Sequence, residues 1–205
     1  MLITAIEPFK GSKYNIFVEG EYALTADIEI IAQMGLKAGK QVSREDLDEI
    51  RRRGDSRRAH ERALYLLSFR AHSRKELSDK LLKNYDEQTV EEILDRLTAA
   101  GLLDDAAYAE LRARDLIERK NYGEKRVRQE LRMRGIDGDI IDQVLQDREK
   151  EDTQDRLQSL IETKYRQKLL EPRGRERVTA ALLRRGYAYE EIRRALNALE
   201  EEEED

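Results

Sequence analysis

The side chains best suited to do chemistry in this chain are arginines and lysines on two short amphipathic segments. In the first segment, Lys125, Arg128 and Arg132 follow one another at helical spacing, away from the apolar Val127 and Leu131. A guanidinium group presents a planar fork that binds phosphates and carboxylates. The pattern therefore predicts a surface for an anionic partner. The candidate contact residues on the two segments are Lys125, Arg126, Arg128, Arg132, Arg134, Arg173, Arg175, Arg177, Arg184 and Arg185.

Arg132 strengthens this interpretation, because related segments of the chain carry Leu82 and Leu183 at the matching position. Replacing an apolar residue by arginine suggests that packing is given up there for contact with something else. An alternative stays open, in which the basic residues form a solvated face balanced by nearby Glu and Asp.

Residues for catalysis are scarce. His60 lies among charged residues and His72 lies in a predicted turn, and we expect both side chains to be solvated. Asp104 and Asp105 open a predicted helix, where Asp is the expected cap. A glycine-rich phosphate loop is missing from the sequence. We therefore expect a protein that is not an enzyme and that has no cofactor and no metal centre.

The composition limits the class of protein further. The 205 residues include no cysteine, which excludes disulfide scaffolds and cysteine-ligated metals, and 40% are charged. The six acidic residues 200–205 leave the remainder with a net charge of +1, from a total of −5. The N-terminus has no basic segment followed by an apolar run, and no stretch is long enough to span a membrane. These features predict a cytoplasmic protein with no membrane association.

Around these basic segments the sequence repeats itself at a step of roughly 50 residues. One residue from each copy aligns at each of two apolar positions: Leu77, Val127 and Val178 at the first, and Leu81, Leu131 and Leu182 at the second. Each copy reads as three helices. The predicted fold is mainly α: an elongated array of three tandem three-helix repeats with a small N-terminal α+β extension, a β-meander plus helices. The predicted boundaries are 1–55 for the extension, 56–103, 104–148 and 149–199 for the repeats, and 200–205 for an acidic, unstructured tail.

Local signals place the elements. Apolar runs at 2–6, 14–18 and 22–24 predict three strands. Asp27 is expected to cap a short helix, and Ser43 with Asp46 to form a capping box for a helix that ends near Gly54. An arginine-rich joint, 51–58, should then lead to a separate helix over 59–69. Ser73 and Asp86 are expected to begin the next two helices.

Several motifs resemble the RecX family of bacterial recombination regulators. They are Ser-Arg-Lys-Glu-Leu at 73–77, Gly-Leu-Leu-Asp-Asp-Ala-Ala-Tyr-Ala at 101–109, and the turns Arg-Gly-Ile at 134–136 and Arg-Gly-Tyr at 185–187. Segments 14–22 and 35–39 look like the N-terminal extension of longer members. The chain departs from the family pattern at Asn84-Tyr85, which replaces an Arg-Gly-aromatic turn, and in its acidic tail.

The resemblance implies a non-enzymatic modulator of the RecA recombinase. Such proteins bind the RecA filament on DNA and restrain strand exchange, ATP hydrolysis and coprotease activity, with a role in DNA repair and the SOS response. We expect weak binding to single- or double-stranded DNA without sequence specificity, and a monomeric protein. Two alternatives remain: a helix-turn-helix-like transcriptional regulator, which predicts a dimer with sequence preference, and an adaptor that binds only protein.

Overall fold

The computed structural model describes residues 1–146 and 150–204. The chain is mainly helical, with one small sheet at the N-terminal end of the described part. It divides into two compact units: Met1–Arg70 with Leu77–Leu102, and Ala71–Glu76 with Leu103–Asp205. This organisation confirms the predicted fold class of tandem three-helix repeats preceded by a small α+β extension.

The N-terminal strands form the predicted meander. Strands β1 (Ile3–Lys10), β2 (Lys13–Val18) and β3 (Glu21–Asp27) pair antiparallel in that order. Helix α1 (Ile28–Gln33) begins at Asp27, as predicted, but the Asp27 carboxylate accepts a hydrogen bond from the Ser12 hydroxyl (2.9 Å) and none from the helix. The apolar faces of the sheet and of α1 share one core with Ile50 of the next helix.

Helix α2 (Arg44–Phe69) is a single helix of 26 residues. Its capping box of Ser43 and Asp46 is confirmed. The prediction of a stop near Gly54, with a new helix from residue 59, is wrong. Gly54 is buried and helical. An ion pair between residues one helical turn apart lies on each side of it: Arg53 with Glu49 (2.7 Å) before it, and Arg57 with Glu61 (3.1 Å) after it. The predicted boundary at 55/56 therefore lies within one helix.

The remaining helices follow the repeat pattern, and the predicted caps Ser73, Asp86 and Asp104 each accept a backbone N–H. A π-helical turn, Asp115–Arg119, directly follows helix α5 (Asp105–Arg114). The short helix α9 (Arg166–Leu169) lies within the connection predicted between two helices of the third repeat. The bounds are α3 Arg74–Leu81, α4 Glu87–Ala99, α5 Asp105–Arg114, α6 Glu124–Met133, α7 Gly138–Gln146, α8 Lys150–Lys164, α9 Arg166–Leu169, α10 Gly174–Arg184 and α11 Tyr189–Glu204.

The apolar register of the repeats is confirmed. Both aligned positions are buried in all three copies, because a helix packed on one side hides the residues that recur every three or four positions. They are Leu77, Val127, Val178, Leu81, Leu131 and Leu182. In the second unit, helices α5 to α7 enclose one apolar cluster, and helices α8, α10 and α11 enclose another.

Other expectations differ from the structure or lie outside it. His72 is only 4% exposed, so the expectation of a solvated side chain is wrong for this residue. Helix α11 continues through Glu204, where the sequence predicted an unstructured tail. Residue 205, the side chains of 200–204 and the predicted boundary at 148/149 lie outside the described residues. Across the described ranges, the helices are all too short or too polar to cross a membrane.

Candidate anion-binding surface

Helix α6 is the element that carries the first basic segment. Val127 and Leu131 are fully buried and define its inner side. Successive residues are rotated by about 100° on a helix, so positions 125, 129 and 132 fall on the side opposite to these two residues, within an arc of about 60°. The helix therefore holds Lys125, Gln129 and Arg132 outward, and all three are exposed. We call these three residues the α6 outer face.

The flanks of α6 carry charges that neutralise one another. Arg126 pairs with Glu130 (2.8 Å), and Arg128 pairs with Glu124 (2.8 Å) and with Asp142 of α7. Hydrogen bonds from Asp142 and Glu124 raise the pKa of the Arg128 guanidinium above its ordinary value. The acidic residues that the solvated-face alternative required are thus used on the flanks.

The α6 outer face keeps its charge. Neither Lys125 nor Arg132 forms an ion pair with any residue that the structure describes, and the third member of the face is the neutral Gln129. Two cations and an amide, whose oxygen accepts a hydrogen bond from Arg126 (3.1 Å) and whose NH₂ can donate, are therefore presented together to solvent. Such a face can bind phosphate oxygens or carboxylates.

The start of α6 is fixed by the turn that follows α10. The Gly123 N–H donates to the Arg185 carbonyl (2.9 Å), and the Lys125 N–H donates to the Gly186 carbonyl (3.2 Å). A Cβ on Gly186 would lie 2.5 Å from the Cβ of Arg126, so the two backbones meet closely. This contact holds Lys125 in place on a rigid element.

Arg185 and Arg134, two predicted contact residues, are used inside the structure. Arg185 is half-buried, and its guanidinium donates to the Tyr165 hydroxyl (3.2 Å) and to the Lys120 carbonyl (2.7 Å). Arg134 is also half-buried and pairs with Glu76 of α3. Both guanidinium groups stabilise turns and contribute little to the exposed surface.

Tyr108 completes the group around Arg134. Its hydroxyl donates to Glu76 (3.3 Å), and the Ser73 hydroxyl donates to the Arg134 carbonyl (2.7 Å). Burial, reinforced by the nearby Glu76 carboxylate, raises the pKa of Tyr108. Tyr108 is thus held within the fold.

The second basic segment, on α10, is less uniform. Arg177 pairs with Glu171 (3.0 Å), and Arg175 donates to the Asn197 side chain (2.5 Å). Arg173 and Arg184 are exposed, and neither pairs with an acidic residue of the described ranges. Arg173 precedes the helix in a left-handed conformation, with φ of 61°. The free cations of α10 are therefore at its two ends.

The argument drawn from Arg132 needs correction. Leu82 and Leu183, its counterparts, are each 45% exposed. An arginine at this position therefore gives up little packing, and the exchange alone does not indicate a binding role. What supports Arg132 as a contact residue is its place beside Lys125 on a face without acidic side chains.

The acidic residues considered for catalysis have structural roles. Asp104 accepts from the N–H groups of Ala106 and Ala107 (2.9 and 3.0 Å), as a helix cap does. Asp105 accepts from the N–H of Arg74 (2.7 Å), and burial raises the pKa of its carboxyl group. Within the described part of the chain, no three His, Asp or Glu residues are grouped so as to hold a metal ion.

Comparisons with known proteins match the whole architecture. The profile of the RecX N-terminal domain matches residues 1–43, and the profiles of the first, second and third RecX three-helix domains match 59–97, 104–145 and 150–196. A regulatory protein RecX from Caldanaerobacter subterraneus subsp. tengcongensis is 30% identical over 96% of this chain and 99% of its own. This chain belongs to the RecX family of regulatory proteins.

Further relatives agree with this assignment. The regulatory protein RecX of Clostridium tetani is 30% identical over 96% of this chain and 94% of its own length. A crystal structure of a regulatory protein RecX superposes with a TM-score of 0.75 at 26% identity, and covers 96% of this chain and 98% of that one. The resemblance read from the motifs is confirmed, and relatives named as regulatory proteins are consistent with a regulatory role.

Sequence reasoning missed the residues that decide which cations stay free. Glu124 and Glu130 each lie four residues from an arginine of α6, a spacing visible in the sequence that predicts the flanking ion pairs. The i,i+4 spacing of Tyr65 and Phe69 is also visible in the sequence, and their rings touch on α2. The contact with Asp142, in contrast, depends on how α7 folds back and has no sequence signal.

Proposed function

We propose that this chain is a non-enzymatic, cytoplasmic regulator that binds the RecA recombinase on DNA and restrains its ATPase, strand-exchange and coprotease activities. Membership of the RecX family supports the regulatory role. The observation that carries the mode of binding is the α6 outer face, where Lys125 and Arg132 are exposed and form no ion pair with a described residue. The protein acts as a monomer through several weak contacts with one filament.

The partner of this face is anionic. A filament of recombinase on DNA offers both phosphates and protein carboxylates, and Lys125 and Arg132 can bind either because both are exposed cations on a rigid helix. Gln129 adds a donor without charge. Contacts of this kind position a protein without reading bases, so sequence preference is not expected.

The test measures ATP hydrolysis by RecA on single-stranded DNA in the presence of substoichiometric protein. We expect the native chain to lower the rate, and the double variant Lys125→Ala, Arg132→Ala to need a concentration about tenfold higher, because two exposed ion contacts of about 0.7 kcal/mol each are lost. The matched control is Arg119→Ala, Arg193→Ala. This control also removes two positive charges, but from the surface ion pairs of Arg119 with Asp115 and of Arg193 with Glu190. It should inhibit RecA as the native chain does.

Salt dependence separates phosphate from carboxylate contact. If the α6 outer face binds single-stranded DNA, the slope of log K against log salt should become shallower by about 1.4 in the double variant, that is 0.7 for each lost cation. Equal inhibition by the native chain and the double variant would exclude the α6 outer face. Preferential binding to one duplex sequence, with no effect on RecA, would favour the transcriptional-regulator alternative instead.

A further inference from the structure

A second surface lies on the last turns of α2 and plays no part in the argument above. Tyr65 and Phe69 are 55% and 70% exposed, and their rings meet edge to face with centroids 4.8 Å apart. The guanidinium of Arg62 lies 5.2 Å from the centre of the Tyr65 ring. These three residues, which we call the aromatic ladder, follow one another at spacings of three and four along one side of the helix.

Packing does not account for the aromatic ladder. Ala59 and Ala63 are fully buried and mark the inner side of this half of α2, and Tyr65 lies about 140° from their mean direction. The rings therefore contribute little to the core. An exposed aromatic pair of this kind offers ring faces on which a ligand can pack.

The charges around the aromatic ladder favour an anionic ligand. Glu61, the nearest acidic residue on the same side, is occupied by an ion pair with Arg57 (3.1 Å). Arg62 forms no ion pair with any described residue, so its charge is available. The Tyr65 ring, which touches the Phe69 ring, is thus bordered by a cation.

We propose that the aromatic ladder binds unpaired nucleobases of a single-stranded nucleic acid. One or two bases stack on the Tyr65 and Phe69 rings, while Arg62 contacts the adjoining phosphate or base plane. Stacking requires no particular base, because each base has a π-face. This contact is separate from the α6 outer face and does not require a protein partner.

The size of the patch argues against a protein occupant. Its apolar part consists of two rings and the partly exposed Leu64, bordered by charged residues. A stable protein interface buries about 800 Å² on each partner around a contiguous apolar centre. Two rings with a neighbouring cation match instead the stacking sites of proteins that bind single strands.

The absence of tryptophan from the chain allows a direct test. In the variant Phe69→Trp the indole is the only tryptophan, and a stacked base should quench its fluorescence. We expect quenching by a thymidine oligonucleotide, and none by an abasic oligonucleotide of equal length or by polyphosphate, which supply charge without bases. Equal responses to the thymidine and abasic strands, or no response to either, would overturn the proposal.

Affinity gives a second, independent measurement. The variant Tyr65→Leu, Phe69→Leu should bind the thymidine oligonucleotide at least about fivefold more weakly, since fivefold corresponds to about 1 kcal/mol, the least that one stacked base contributes. The matched control is Phe9→Leu, Tyr189→Leu, which removes two exposed aromatic rings elsewhere and should bind normally. If the ladder variant keeps its affinity for the strand but no longer affects RecA, the ladder contacts protein and the base-stacking proposal is wrong. The α6 proposal is judged by its own variants, so the two can fail separately.

Discussion

Replacing Gly186 by alanine should loosen the turn that holds the start of α6. Gly186 has φ of +92°, a conformation that an L side chain rarely adopts. A Cβ at this position would also meet the backbone N of Arg126 and lie 2.5 Å from its Cβ. The side chain can avoid these atoms only if the turn moves away from α6.

The expected loss of stability has two parts. The positive φ contributes about 1–2 kcal/mol, the difference between left-handed and ordinary backbone for a residue with a Cβ. Moving the turn breaks two hydrogen bonds, from Gly123 to Arg185 and from Lys125 to Gly186, at about 0.5–1.5 kcal/mol each. We therefore expect Gly186→Ala to lower the free energy of unfolding by about 3 kcal/mol, a large share of the 5–15 kcal/mol typical of a domain.

Two other glycines separate these parts. Gly101 has φ of +68° with open space where a Cβ would be, so Gly101→Ala tests the backbone strain alone. Gly123 has an ordinary φ of −74°, but a Cβ there would meet the Tyr187 N and lie 2.5 Å from the Gly186 carbonyl carbon, so Gly123→Ala tests the close approach alone. Unfolding in urea, followed by circular dichroism, measures all three. A Gly123→Ala protein as stable as the native chain would refute the close approach as a source of stability.

The remaining predictions concern single positions. Asp105→Asn should keep the hydrogen bond from the Arg74 N–H and remove a carboxylate whose pKa is raised by burial, so stability at pH 7 should be unchanged or higher, whereas Asp105→Ala should cost about 1–3 kcal/mol. Because the folded state holds this proton more tightly than the unfolded state, native stability falls as pH rises from the ordinary value of 3.8 through the raised pKa, and Asp105→Asn should lack that decrease in a series of urea titrations. Gly54→Ala should raise the free energy of unfolding by about 1 kcal/mol, because Gly54 is helical and its Cβ would meet only the tip of a flexible arginine. A lower thermal midpoint for Gly54→Ala would contradict the continuous α2.

The sequence predicts the repeat cores well because burial on one side of a helix imposes a period that does not depend on distant contacts. Val127 and Leu131 were assigned to the inner side of α6 on spacing alone, and both are fully buried. Caps are also local: Ser43, Asp86 and Asp104 bond to N–H groups two or three residues away. Such features need only a short stretch of chain to be recognised.

The errors arise where tertiary context decides. Gly54 looks like a helix stop, but the glycines that end helices, such as Gly101, have positive φ, and Gly54 does not. His72 looks solvated because its neighbours in sequence are polar, yet the fold covers it. Arg132 and Arg134 look alike in sequence. Arg134 forms an internal ion pair because Glu76, 58 residues away in the chain, lies beside it, whereas Arg132 has no such partner among the described residues.

The same joint is built twice in the second unit. The turn after α6 meets the start of α3, where Ser73 donates to Arg134, and the turn after α10 meets the start of α6, where Gly123 donates to Arg185. The start of α10 is contacted by the preceding connection, which contains α9. A Cβ on Gly174 would meet backbone carbonyls of that connection, and the Gly174 N–H donates to the Glu171 carbonyl (2.8 Å). A further Arg-Gly turn could not dock there without displacing α9. The connection that lengthens the third repeat therefore leaves the start of α10 without the joint that α3 and α6 each form.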